Sequence, residues 1–187
     1  MNSSSRTGDG SLLVVSGPPG AGKSTISAAL VEHLEPSMLV EGDAFFGFLR
    51  RGAIDPWLPE SHQQNTVITA AAADTAVSIA AAGYHTVFDG VVGPWFICEF
   101  TRRCLAAGVE LDYVLLIPSV GECQQRVAHR PDHRFSDPDA TARMHENFDR
   151  ADIDDRHVLR PPPVGIDDTV AAVEGARQAG NLRVGGD

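Results

Sequence analysis

Eight consecutive residues, Gly17-Pro18-Pro19-Gly20-Ala21-Gly22-Lys23-Ser24, fit the pattern GxxxxGK[ST]. Their types suit one task, gripping the phosphates of a nucleotide. The glycines let the backbone curl so that successive N–H groups point inward at phosphate oxygens, and the positive end of the helix that follows adds to the attraction. Lys23 is expected on the β and γ phosphates, the Ser24 hydroxyl on Mg²⁺, and Thr25 close to the α phosphate. Lys23 is also the sole lysine among the 15 Lys and Arg residues of the chain. Where every other cation is an arginine, an ammonium is kept at the one place that asks for a compact, rotatable point charge.

Three further groups bear chemistry. Asp43 closes the run VEGD and Asp89 closes TVFD; if both runs are strands of one parallel sheet, both carboxylates reach the crevice at the strands' carboxyl ends. A carboxylate on the strand beside the loop can hold the shell of a Mg²⁺ ion, and one farther out can orient or deprotonate an attacking hydroxyl. Arg126 and Arg130 lie four residues apart on one helical face, and Arg134 follows in the segment PDHRFSDPD. That segment, within a range of about 127–142, reads as an arginine-rich lid: a guanidinium swung in at closure stabilises charge on a transferred phosphoryl group and excludes water. His129 and His133 read as solvated surface.

These residues need elements to position them. A β-rich run at 12–16 leads into the loop, and an amphipathic helix over about 23–34 leads out of it, the order a phosphate loop requires. A second strand is read at 38–43, a short helix around 45–51, a long helix over about 60–82, and a third strand at 85–89 followed by a helix to about 107. The run ELDYVLLIP at 110–118 is the clearest buried strand, and Ser119-Val120-Gly121-Glu122 is a capping box opening the next helix. A short fifth strand near 156–159 and a helix over 167–179 complete the pattern. Residues 1–10 and 181–187 read as loose tails around a single domain spanning 11–180. Strands alternating with helices give an α/β fold, a parallel sheet with helices on both faces.

Composition limits the partners. A length of 187 residues with 43% hydrophobic content suffices for one core. A net charge of −10 repels a nucleic-acid backbone. Cys98, Cys104 and Cys123, odd in number and without a CxxC pair, indicate reduced thiols in the cytoplasm. No apolar run resembles a secretory signal, and the alanine-rich stretch at 67–82 is too short and too weakly apolar for a membrane span. With Lys23 the only lysine, no NKxD base reader exists, which removes the switch GTPases.

The loop, the GD after the second strand, the DPWLPE run, the Asp after the third strand and the arginine-rich lid together resemble the small P-loop kinases of the gluconate kinase, shikimate kinase and chloramphenicol phosphotransferase group, within the broader AAA_33-type ATP-binding proteins. GAIDPWL at 52–58 is similar to gluconate kinases, and FDGVVG is more like the chloramphenicol-phosphorylating enzymes. The resemblance implies a five-stranded sheet of order 2-3-1-4-5, ATP with Mg²⁺ in the loop, and an acceptor beneath the segment between the second strand and the long helix. By that likeness Asp43 receives or aligns the acceptor hydroxyl, and Arg126 packs on the adenine or contacts phosphates. Arg130 and Arg134 close over the transferred group. Phe46, Arg50, Trp57, Asp89 and Gly90 are candidate acceptor contacts, with Asp89 also reaching the metal through water. Trp57 serves equally well as core, and Arg50 and Arg51 as a solvated helix end. The implied activity is transfer of the γ-phosphoryl of ATP to a hydroxyl of a small molecule, a sugar acid, polyol or hydroxylated antibiotic, by a monomer or homodimer that binds neither nucleic acid nor membrane. The alternatives are a kinase of a nucleic-acid 5′ hydroxyl or toxin-type sugar nucleotide, and a regulatory module that binds nucleotide without transferring from it.

Overall fold

The computed structural model describes residues 10–129 and 137–185. Its elements are β1 (Ser11–Ser16), α1 (Lys23–Val31), β2 (Ser37–Glu41), α2 (Gly42–Phe46), α3 (His62–Ala81), β3 (His85–Asp89), α4 (Pro94–Ala107), β4 (Glu110–Leu116), α5 (Val120–Ala128), α6 (Pro138–Arg150), β5 (Val158–Leu159) and α7 (Ile166–Gln178). The strands form one sheet in the order β2-β3-β1-β4-β5, and each neighbouring pair is parallel. The order expected from the family resemblance is the order observed.

β1 sits mid-sheet and is buried along its whole length, which is why its sequence, SLLVVS, is a continuous apolar run rather than an alternating one. Successive side chains still point to opposite faces. Leu12 and Val14 pack with Ala72, Ala76, Phe96 and Phe100 of α3 and α4. Leu13 and Val15 pack with Ile26 and Leu30 of α1 and Val170 and Val173 of α7. The alanines of α3 let that long helix lie close to the sheet, because each adds only a methyl group to the layer of strand side chains beneath it. Among the described residues no helix is long and apolar enough to cross a membrane.

The register sets up the site. Val15 of β1 and Glu41 of β2 both align with Asp89 of β3, so the three strands end at one level and their following loops emerge side by side.

Four expectations change. The second strand stops at Glu41, not 43, and Asp43 lies in the first turn of α2. The short helix read at 45–51 therefore begins and ends earlier. Within the range read as the lid, 127–128 end α5 and 138–142 start α6; residues 130–136, with Arg130 and Arg134, lie outside the described residues, as do residues 1–9. The tail beginning at 181 is not loose over 181–185. β5 pairs only with Leu115 and Leu116, leaving the amino half of β4's outer edge open, and the chain end fills it. Tyr113 donates its N–H to the Leu182 carbonyl at 2.9 Å, Val184 donates to Leu111 at 2.9 Å, and Leu182 is 1% exposed.

Candidate active site

The loop between β1 and α1 is held in shape from beneath. Gly17 (φ +142°) and Gly20 (φ +80°) occupy backbone conformations that favour glycine, and a Cβ on them would come within 2.2 Å of the Leu116 carbonyl and 2.4 Å of the Cys123 carbonyl. The loop thus lies directly on the end of β4 and the start of α5. Gly17, Pro18 and Ala21 are buried behind it, whereas Pro19, Gly20, Gly22, Lys23 and Ser24 line an open cleft. α1 begins without a side-chain cap and without an acidic residue in its first turn, so its leading N–H groups are left to an anion. The Lys23 ammonium curls over the loop and donates to the Pro18 carbonyl at 3.1 Å. Arg126, from α5, donates to the Gly20 carbonyl at 3.3 Å, which brings the guanidinium to the loop's rim. Cys123, beneath the loop, has its thiol pushed up to about 11, chiefly by burial, and is protonated at neutral pH.

Asp89 ends β3 on the floor of this arrangement, 8% exposed. Its Oδ1 has no hydrogen-bond partner. Burial raises its pKa above 3.8; Lys23 and the Ser24 hydroxyl beside it pull the other way, and the negative charges of Asp43 and Glu41 add to the rise. A buried, half-satisfied carboxylate next to the Ser24 hydroxyl and the loop lysine suits a magnesium ion, which takes few protein oxygens and completes its shell with water and phosphate. Among the described residues no cluster of three or more His, Cys, Asp or Glu is arranged around a metal position.

Asp43 is exposed at the start of α2 and lines the cleft together with Lys23 and Ser24. The cleft has a volume of about 780 Å³, within the roughly 300–1,000 Å³ of small-molecule sites. It runs from the phosphate loop to a wall made by α2, the segment before α3, and α6. Phe46, Trp57 and Gly90 line it; Arg50 is exposed and does not, and Thr25 is exposed beside the loop.

With this geometry in view, the chain can be set beside known proteins. A family model, the AAA domain AAA_33, matches residues 12–151. The chain belongs to the AAA_33 family. A search of curated proteins finds no sequence match. Similar solved structures include a sugar kinase from Janibacter sp. (17% identity, 90% of this chain and 95% of that one, TM-score 0.68). Another is the APS kinase of Mycobacterium tuberculosis in complex with AMPPNP and APS (16%, 91% and 98%, TM-score 0.68), and a third is the tunicamycin resistance protein of Deinococcus radiodurans (17%, 95% and 99%, TM-score 0.60). At these identities the likeness is one of fold, and this AAA_33 chain has the fold of the small P-loop kinases.

Two contributions to the cleft escaped the sequence reading. α6 presents Met144, Asn147 and Phe148 to it. Its signal was available: Asp137 caps the helix by accepting from the Asp139 and Ala140 N–H groups, with Pro138 in the first turn. The segment 90–93 is pinned by Ser16, whose hydroxyl donates to the Val92 carbonyl at 2.9 Å and accepts from the Val92 N–H at 2.8 Å. Tyr113 donates to the same carbonyl at 2.5 Å. No local pattern announces that latch, because its partners are 76 and 21 residues apart.

Proposed function

We propose that this protein is an ATP-dependent kinase that transfers the γ-phosphoryl group to a hydroxyl of a small molecule. The observation that carries the reading is that an exposed carboxylate, Asp43, faces the same cleft as Lys23 and Ser24, with room beyond it for an acceptor. The neighbours named as a sugar kinase and as an APS kinase with bound AMPPNP support it.

In this scheme the loop N–H groups, Lys23 and Arg126 hold the nucleotide, and Asp43 accepts a hydrogen bond from the acceptor hydroxyl. The hydroxyl oxygen bonds to the γ phosphorus while the bond from that phosphorus to the β–γ bridging oxygen breaks; ADP leaves, and the proton passes to the Asp43 carboxylate and on to solvent. Ser24, and Asp89 through water, would hold Mg²⁺, which neutralises phosphate charge when bound. Arg130 and Arg134 are assigned by sequence to the closing lid.

The test is ADP release from Mg-ATP with a panel of polyols, sugar acids, nucleosides and hydroxylated antibiotics. The Asp43→Asn variant is expected to keep its ATP affinity and lose about 10²–10⁴ in turnover. Tight ATP binding with no acceptor-dependent ADP would leave a nucleotide-binding module and sink the kinase. Lys23→Ala weakens phosphate binding under either reading, so it checks the loop alone.

A further inference from the structure

The acceptor end of the cleft has a chemistry of its own. Phe46, Leu49, Trp57, Ile68, Phe96 and Phe148 supply its walls. Its carboxylates there are Asp43 and Asp55, the His62 imidazole lines it as well, and among the described lining residues the fixed positive charge is Lys23, at the phosphate end. An anionic acceptor in this space would face two carboxylates and an ATP triphosphate across an apolar wall, and would lose its hydration without gaining a fixed cation from the described residues of that wall.

Asn65 sharpens the point. It lines the cleft, and its amide oxygen Oδ1 is buried with no hydrogen-bond partner. The amide cannot be turned over to satisfy it. Nδ2 donates to the Pro56 carbonyl at 2.7 Å and to Ser61 Oγ at 2.9 Å. Ser61 Oγ spends its own proton on the carbonyls of Pro56 and Leu58, so it has to accept from Asn65. The segment carrying Asp55 and Trp57 is further clamped to α3 by Gln64, which accepts from the Ile54 N–H at 2.9 Å and donates to the Ile54 carbonyl at 2.7 Å. The wall is therefore prearranged, and what it offers a ligand is mostly apolar surface with the Asp43 and Asp55 carboxylates as hydrogen-bond acceptors, beside the polar side chains of His62, Thr69 and Asn147.

We infer that the acceptor is an uncharged molecule in which the phosphorylated hydroxyl sits beside an aromatic or branched apolar group and an O–H or N–H donor, and that sugar acids and other anions are poor acceptors. The inference rests on the kinase reading for the word acceptor, but not for the site's preference.

The test uses the full-length protein with Mg²⁺ and AMPPNP, so that binding is read without transfer. Three probes are titrated calorimetrically: N-(2-hydroxyethyl)benzamide, which is neutral; hippurate, which keeps the aryl amide but carries a carboxylate in place of the hydroxymethyl group; and gluconate, a hydroxylated anion without an apolar group. The neutral probe is expected to bind at least about ten-fold more tightly than either anion, and Phe46→Ala to weaken it about five-fold, the effect of a modest loss of apolar contact. The same variant's AMPPNP titration reports whether the phosphate loop is intact, and Trp57→Leu serves if Phe46→Ala fails to fold. Equal or tighter binding of gluconate or hippurate, an unchanged affinity in the wall variants, or no binding of the neutral probe at about 10 mM each overturns the inference. If the ranking holds but no acceptor ever yields ADP, the kinase reading falls and the preference stands; if gluconate turns over well, the reverse is true.

Discussion

At the amino end of the sheet Asp112, 1% exposed, accepts from Arg177 Nε through one oxygen and from Arg183 Nε through the other, both at 3.0 Å. At the carboxyl end Asp89, 8% exposed, keeps Oδ1 without any partner. The residue type and the depth are similar, and the treatment is opposite. A buried carboxylate saturated by two guanidiniums ties together elements remote in sequence, here β4, α7 and the chain end. A buried carboxylate left half-satisfied costs stability unless something else completes it. The sheet therefore has one end where a buried carboxylate is saturated and one end where a buried carboxylate is left half-satisfied.

The largest effect expected from this comparison comes from breaking the saturated end. Asp112→Ala removes the acceptor of two guanidiniums whose side chains are 22% and 33% exposed. Loss of one partner from a buried ion pair costs about 3–5 kcal/mol, and partial exposure of the arginines places this case near about 3 kcal/mol. Thermal unfolding should show a fall of about 6–12 °C for a chain of this size. A change within about 1 kcal/mol would mean that Asp112 behaves as a surface ion pair, and the contrast between the two ends would dissolve.

The half-satisfied end should respond in the other direction. Asp89→Asn keeps the shape and removes the charge, so the nucleotide-free protein should gain about 1 kcal/mol and, on the kinase reading, should lose the extra stabilisation expected from Mg-ADP. The sign with pH follows from the raised pKa of Asp89. As pH climbs past 3.8, the unfolded chain releases this proton before the folded one does. The folded state then holds more protons, and stability falls with rising pH until the folded group also ionises. The urea midpoint of Asp89→Asn lacks that decline, so its advantage over the wild type should widen from about pH 4 toward neutrality. A gap that is constant or narrows with pH would show that burial of the charge is not what distinguishes Asp89.

The two ends were not equally readable in the sequence. The phosphate loop is local: eight adjacent residues carry it, and the strand and helix around it are periodic in the usual ways, so the fold class follows, while the sheet order came with the family resemblance. Asp89 was also legible as a strand-terminal aspartate, because HTVFD at 85–89 is a short β-prone run ended by a charge. What makes Asp89 unusual, its orphaned oxygen, depends on β1, β2 and β3 ending level, and register across parallel strands is written nowhere in a local window. Asp112 was invisible for the same reason. It lies inside ELDYVLLIP, which reads as a buried strand with an awkward charge, and its partners Arg177 and Arg183 are 65 and 71 residues away. The chain end was read as loose because NLRVGGD carries turn residues and little apolar surface; what holds it is an edge of β4 left open by a two-residue β5.

A third carboxylate separates pairing from burial and gives the smallest expected effect. Asp74 on α3 meets Arg103 of α4 at 2.5 Å, and Arg103 also pairs with Glu99 at 2.5 Å. Asp74 is as well partnered as Asp112, yet its side chain is 65% exposed. The hydrogen bond from Arg103 is the main cause holding its carboxyl below the ordinary range. A depressed folded pKa means that the stabilisation is present above the unfolded value and is lost as pH falls through the folded one. Water screens this pair, so Asp74→Asn should cost no more than about 1 kcal/mol, and the cost should shrink further as salt shortens the range of the interaction. Thermal unfolding of this variant at low and high ionic strength, beside that of Asp112→Ala, is the direct comparison. If Asp74→Asn lost as much stability as Asp112→Ala, and kept that loss in high salt, partnership alone would explain Asp112, and depth in the sheet would no longer account for its contrast with the buried, half-satisfied Asp89.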